Sequence, residues 1–199
     1  MTRPFGPRDP LNSFSEANII TLLRLGGSLV FFVLAAVRQS PAMNFIGLGI
    51  HWLGDLLDGI CARKARQETI LGAEIDIIAD RVEVLFFYVN FLHFHPGLWL
   101  PAAIYILDFA FIDFYLSYQF LKYDIISPNY FYKVDPTIYA WNFSPAGKFA
   151  NSTVVTLLLI FLPALWPAAA VFALGLIGVK GYSVRRLLRI GKMKKDQTP

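Results

Sequence analysis

Apolar runs of about 20 residues, the length a helix needs to cross a bilayer core, recur along this chain. The first covers 18–38, "NIITLLRLGGSLVFFVLAAVR". The second, 43–62, runs into the acidic stretch "GDLLDGICARKARQETILGAEIDIIAD". The third, 71–94, begins inside the far end of that stretch, and a fourth covers 98–122. A polar, aromatic-rich loop of about 25 residues follows. Residues 148–163 and 167–188 are a fifth and a sixth run, the fifth mixed at its start in "KFANSTVV". The pattern predicts an all-α integral membrane protein with six transmembrane helices.

Lysine and arginine placement orients such a bundle. With both termini cytoplasmic, the inner segments hold Arg3 and Arg8; Arg63, Lys64 and Arg66; Lys122, Lys133 and Lys148; and the tail "KGYSVRRLLRIGKMKK". The outer loops then hold only Arg38. An odd number of spans would destroy this bias. The leader 1–16 carries Phe5, Leu11 and Phe14 among polar residues and reads as a short interfacial helix. It lacks the build of a cleavable signal peptide. The division is therefore a leader 1–16, a transmembrane domain 17–190 and a basic cytoplasmic tail 191–199. The basic face from Lys180 onward is expected to be solvated and to lie against anionic lipid heads. Composition agrees: 56% of the 199 residues are hydrophobic and 16% charged, with mean hydropathy +0.51, more apolar than a soluble domain. The net charge of +4 is modest, and no nucleic-acid partner is expected. A single cysteine, Cys61, excludes an internal disulfide.

On this topology the acidic stretch lies at the cytoplasmic ends of the second and third helices. Asp55 and Asp58 are three residues apart and Asp76 and Asp80 four, so each pair shares a helix face. Four carboxylates aimed at one another repel unless protons, basic partners or divalent metal compensate them. Oxygen ligands from aspartate favour hard ions such as Mg²⁺, Mn²⁺ or Ca²⁺. Gly59 and Ala62 add no bulk, so a nucleotide could approach the backbone, and Arg63 is placed to meet phosphate. These parts suit metal-assisted phosphoryl transfer.

The pattern Asp55-x-x-Asp58-Gly59-x-x-Ala62-Arg63, eight residues, Gly72-x-x-x-Asp76-x-x-x-Asp80 resembles the signature of the CDP-alcohol phosphatidyltransferases, with every signature position filled at the family's spacing. The resemblance implies that a CDP-linked lipid, usually CDP-diacylglycerol, gives its phosphatidyl group to an alcohol and that CMP leaves. It implies two Mg²⁺ or Mn²⁺ ions among Asp55, Asp58, Asp76 and Asp80, with Asp80 as general base. It assigns Gly59, Ala62 and Arg63 to the nucleotide diphosphate, Thr69 to the donor, and Asn18 and Thr21 of "NIIT" to the cytidine. It also implies a homodimer in the bilayer, with a cytoplasmic-face active site, in the cell membrane if the source is bacterial.

The acceptor clues diverge. Gly147-Lys148 resembles members that make phosphatidylglycerophosphate, whereas "IDIIADR", with Ile77 and Arg81, and the continuation "VEVLFFYVNF" resemble the inositol branch. Inositol or inositol phosphate is the expectation and glycerol 3-phosphate the alternative. Lys148, Asp113 and Arg186 are the candidate acceptor contacts. Asp108 reads as a partner for a polar group in the bundle. On an α-helix, five-residue spacing sets Asp108 and Asp113 about 140° apart, so they need not share a role. Arg24 and Glu83 read as a structural pair, His51 as a packed core histidine and Cys61 as a small packing residue. A different class of reading, a cation transporter using the aspartates as an ion site, would place them near the midplane on broken helices. Here they gather at one end.

Overall fold

Gln39 and Pro41 turn the chain between the first two apolar runs. Gln39 takes a left-handed conformation, φ 51°, and Ser40 N–H donates to Ala35 O at 3.0 Å, the closure that ends a helix before a proline starts the next. The computed structural model describes residues 16–64 and 68–196. The helices are α1 (Glu16–Arg38), α2 (Pro41–Lys64), α3 (Ile70–Phe94), α4 (Trp99–Leu107), α5 (Phe114–Tyr118), α6 (Pro136–Ile138), α7 (Pro145–Ser152), α8 (Val154–Phe161) and α9 (Trp166–Asp196). Two segments, Asp108–Asp113 and Tyr139–Phe143, are wound as π-helix. No strand occurs among the described residues. The expected interfacial helix of the leader falls outside them, apart from Glu16 at the start of α1.

Two compact units are present. Of the described residues, one comprises those up to Trp99 and 120–128, the other 100–119 and those from Asn129 onward. In the first, α1, α2 and α3 pack pairwise. Gly47 of α2 lies so close to Phe32 of α1 that a Cβ would stand 2.5 Å from its ring. Phe87 and Phe91 stack at 5.5 Å beside them. Asn90 donates to Phe32 O at 2.9 Å and to Asn44 Oδ1 at 3.1 Å, while Asn44 donates to Phe87 O at 3.1 Å. Such side-chain bonds between apolar helices each contribute about 0.6 kcal/mol in a membrane.

In the second unit α9 packs on α8, on α5 and on the π-helical segment 108–113. Tyr105 donates to Ser152 O at 3.0 Å, Asn142 donates to Ser183 Oγ at 2.9 Å, and Phe131 stacks on Phe143 at 4.7 Å. α9 continues unbroken to Asp196, so residues 191–196 of the expected tail extend the helix.

Among the described residues, four helical stretches are long and apolar enough to cross a membrane: Ala17–Arg38, Pro41–Lys64, Pro96–Lys122 and Pro163–Gly191. The outward side chains agree, with Leu23, Val37, Val89, Phe111, Phe161 and Val171 all exposed, as a lipid solvent requires. Two of the six apolar runs fall short. α3 has the length, 25 residues, but carries Glu74, Asp76, Asp80, Arg81 and Glu83. The fifth run is broken at Thr153 into two helices of eight residues.

Candidate active site

All four signature aspartates lie in the first unit, and one side chain reaches every one of them. Asp55 and Asp58 project from the C-terminal half of α2, Asp76 and Asp80 from the N-terminal half of α3. The Arg24 guanidinium of α1 sits between the pairs. Its Nη1 is 3.2 Å from Asp55 Oδ1 and 3.3 Å from Asp58 Oδ2; its Nη2 is 3.3 Å from Asp76 Oδ1 and 2.9 Å from Asp80 Oδ1. Nε faces Glu83 Oε2 at 3.3 Å. Glu83 is fully buried, takes a hydrogen bond from Ser28 Oγ at 2.6 Å and meets His51 Nδ1 at 2.8 Å. The expected Arg24–Glu83 pair is therefore present, within a larger network. His51 is buried, as expected, and is paired in that network.

The other residues expected to meet the donor gather at the same end of the three helices. Thr21 donates to Asp58 Oδ2 at 3.0 Å. Thr69 caps α3, its hydroxyl accepting from Gly72 N at 2.9 Å. Gly72 also lies against Asn18, where a Cβ would stand 2.7 Å from Asn18 Oδ1. Asn18, Thr21 and Thr69 are all buried. Arg63 folds back over Gly59, where a Cβ would be 3.1 Å from its Nη1. Ala62 is partly covered. Cys61, expected as a packing residue, is instead exposed.

Asp55, Asp76 and Asp80 each bring one carboxylate oxygen within 4.8 Å of the others. Their side chains are 51%, 38% and 22% exposed, against 1% for Arg24. Unit charges about 4 Å apart interact by about 4 kcal/mol at the effective dielectric of a protein surface, so so many acids require cations. The donor set is all oxygen, negatively charged and partly open, which fits a hard divalent ion. His51, Asp80 and Glu83 form a second close group of possible ligands, but Arg24 and Ser28 already engage Glu83.

The three acceptor candidates belong to the second unit. Lys148 is exposed on the first turn of α7, where Ser144 caps the helix by accepting from Gly147 N at 3.0 Å. Gly147 is required there, since a Cβ would come within 2.8 Å of the Trp141 backbone. Arg186 Nε donates to Asp135 Oδ2 at 2.6 Å. Asp135 also accepts from Thr137 N and Ile138 N, at 2.9 and 3.1 Å. Burial pushes the Asp135 carboxyl up, but the bonds from Arg186 and the two backbone groups outweigh it and hold its pKa below the usual carboxylate value. The clasp therefore persists at neutral pH and is lost only as pH falls through that depressed value.

Asp113 faces Lys180 Nζ at 3.2 Å, and Asp108 meets the same nitrogen at 2.5 Å. Two expectations are corrected here. Lys180 is fully buried, not the start of a solvated tail, because two acids inside the bundle demand a cation. Asp108 and Asp113 do share a partner, because the π-helical winding of 108–113 brings residues five apart onto one face.

Arg24's reach, Lys180 and Asp135 were the residues that patterning did not single out for these contacts. A lone arginine one turn past "NIIT", a lysine inside "GLIGVKGYSV" and an Asp-Pro pair were the available signals. Comparison with curated proteins and with solved structures gives no match. The profile of one family, described as CDP-alcohol phosphatidyltransferase, matches residues 14–179. That match begins before α1 and ends inside α9, so it takes in the aspartate-bearing helices and most of the second unit, and the chain belongs to the CDP-alcohol phosphatidyltransferase family of membrane phosphotransferases.

Proposed function

We propose that this enzyme moves the phosphatidyl group of CDP-diacylglycerol to inositol or inositol phosphate, releasing CMP. Membership of the family supplies phosphatidyl transfer from a CDP-alcohol to an acceptor. The observation that carries the mechanism is the convergence of Asp55, Asp58, Asp76 and Asp80 at one end of α1–α3. Divalent ions held by these carboxylates, two as Mg²⁺ or Mn²⁺, would neutralise the diphosphate and polarise the phosphorus under attack. Asp80 accepts the acceptor's hydroxyl proton on a carboxylate oxygen. The acceptor oxygen bonds to the phosphatidyl phosphorus, and the bond from that phosphorus to the CMP oxygen breaks. Arg63 pairs with the diphosphate, Gly59 and Ala62 leave room for it, and Asn18, Thr21 and Thr69 line the nucleotide side.

The six-span topology with cytoplasmic termini and a cytoplasmic-face site is part of this reading. It rests on the lysine and arginine bias, and on α3, whose charges would be sheltered by α1 and α2.

For the acceptor, Arg81 after Asp80 favours inositol chemistry, while Gly147-Lys148 favours glycerol 3-phosphate as the second reading. Lys148, Asp113 and Arg186 are the acceptor contacts of this reading, Lys148 exposed, Asp113 facing Lys180 at 3.2 Å and Arg186 facing Asp135 at 2.6 Å; the two cations carry the expectation for an acceptor phosphate. The test offers purified protein labelled CDP-diacylglycerol with inositol, inositol phosphate, glycerol 3-phosphate or serine separately. Lipid product is expected with inositol or its phosphate; product with glycerol 3-phosphate alone would overturn the acceptor assignment and leave the transferase intact. If inositol phosphate is the better acceptor, Arg186→Ala should raise its KM about tenfold or more, the worth of a charge-assisted hydrogen bond. Turnover of unphosphorylated inositol should hardly change.

A further inference from the structure

We infer that Arg24 is the resident counter-ion of the aspartate cluster: a positioning residue that holds the four carboxylates together from the buried side before any divalent ion arrives. The inference rests on the metal reading above. Each terminal nitrogen serves one helix, Nη1 the α2 pair and Nη2 the α3 pair, at 2.9–3.3 Å. A planar fork with five donors can do this and a lysine ammonium cannot.

The surroundings fit this one side chain. Gly54 of α2 faces the Arg24 stem, and a Cβ there would lie 2.3 Å from Arg24 Cγ and 2.5 Å from Cδ. Glu83 anchors the Nε edge and is itself fixed by Ser28 and His51. The guanidinium therefore has both a slot and a stop.

Position decides why Arg24 is not a competitor for the ions. It is 1% exposed, while Asp55, Asp76 and Asp80 are open in part. It reaches these three from the buried side, through Oδ1 of each. Charge agrees as well. Four aspartates and Glu83 bring five negative charges against two positive ones, Arg24 and the Arg81 that faces Asp80 Oδ2 at 3.9 Å, leaving a formal −3 with His51 neutral, an excess that divalent ions would offset. Hydrogen-bonded partners of metal ligands act in this way, orienting the carboxylates that the ion then uses.

The test reads unfolding temperature of the full-length protein in detergent, with excess EDTA and with saturating Mn²⁺, for wild type, Arg24→Met and Arg24→Lys. Mn²⁺ should raise the wild-type midpoint. Arg24→Met should lose most of its stability in EDTA, so that its Mn²⁺-induced rise is about twofold or more the wild-type rise. Arg24→Lys, which keeps the charge without the fork, should fall between. Should Arg24→Met be recoverable only in Mn²⁺, chelation of that sample should unfold it. An Arg24→Met protein equally destabilised with and without Mn²⁺, or stable after chelation, would make Arg24 a packing residue and overturn the inference. A wild type indifferent to Mn²⁺ would overturn the metal reading first, and the inference with it, a failure visible without any variant.

Discussion

Protein carrying Asp80→Asn is expected to release CMP from CDP-diacylglycerol at no more than about one-thousandth of the wild-type rate while still inserting and folding. General-base catalysis alone contributes about 10²–10⁴-fold, and Asp80 is also one of the three carboxylates whose oxygens lie within 4.8 Å of one another. Asparagine is nearly the same size, so the packing of α3 against α1 survives. It can neither take the acceptor's proton nor bring a negative charge to a bound ion. It can still accept a hydrogen bond from Arg24 Nη2, now 2.9 Å from Asp80 Oδ1, which limits the structural damage. The loss should appear in kcat and in kcat/KM alike, the mark of an interaction made in the transition state. Asp76→Asn should behave in the same way. An Asp80→Asn enzyme within tenfold of wild type would remove Asp80 from the chemistry.

How much of this was legible beforehand follows the range of the interaction. The aspartates are spaced three and four apart on helices, so their faces could be read from the chain. The helices could be read as well, since length and apolarity are local properties. Arg24 was visible as an intramembrane charge, yet its five-carboxylate reach depends on the approach of α1 to α2 at Gly54, which no local pattern encodes. The 108–113 segment misled for a different reason. Helical periodicity assumes one winding, and a π-turn changes which residues share a face. α3 shows the limit of hydropathy: its length suits a span, but its five charged residues lower the average. The break at Thr153 was foreshadowed only by the mixed "KFANSTVV". Acceptor choice is the least legible part: the candidate contact Arg186 has its neighbour, Asp135, 51 residues away.

Replacing Lys180 by methionine should be the most destabilising change in the second unit, costing about 3–5 kcal/mol, the usual consequence of removing one member of a buried ion pair. Methionine fills a similar volume, so the cost is electrostatic. Lys180 and Asp108 are fully buried and the Asp113 side chain is 12% exposed. Without the ammonium, two carboxylates face each other across one turn of π-helix, in a bundle that cannot solvate them. The order among variants tests this directly. Asp113→Asn should be mild, since it leaves the 2.5 Å Lys180–Asp108 pair neutral as a unit. Asp108→Asn should cost more, because Lys180 must then rely on Asp113 at 3.2 Å. Adding Asp108→Asn to Lys180→Met should recover part of the loss, because it removes one of the stranded charges. Unfolding midpoints in detergent would rank the four proteins. If Lys180→Met proved as stable as Asp113→Asn, the triad would not be holding α9 to the π-helical segment, and apolar packing between them would have to do so instead.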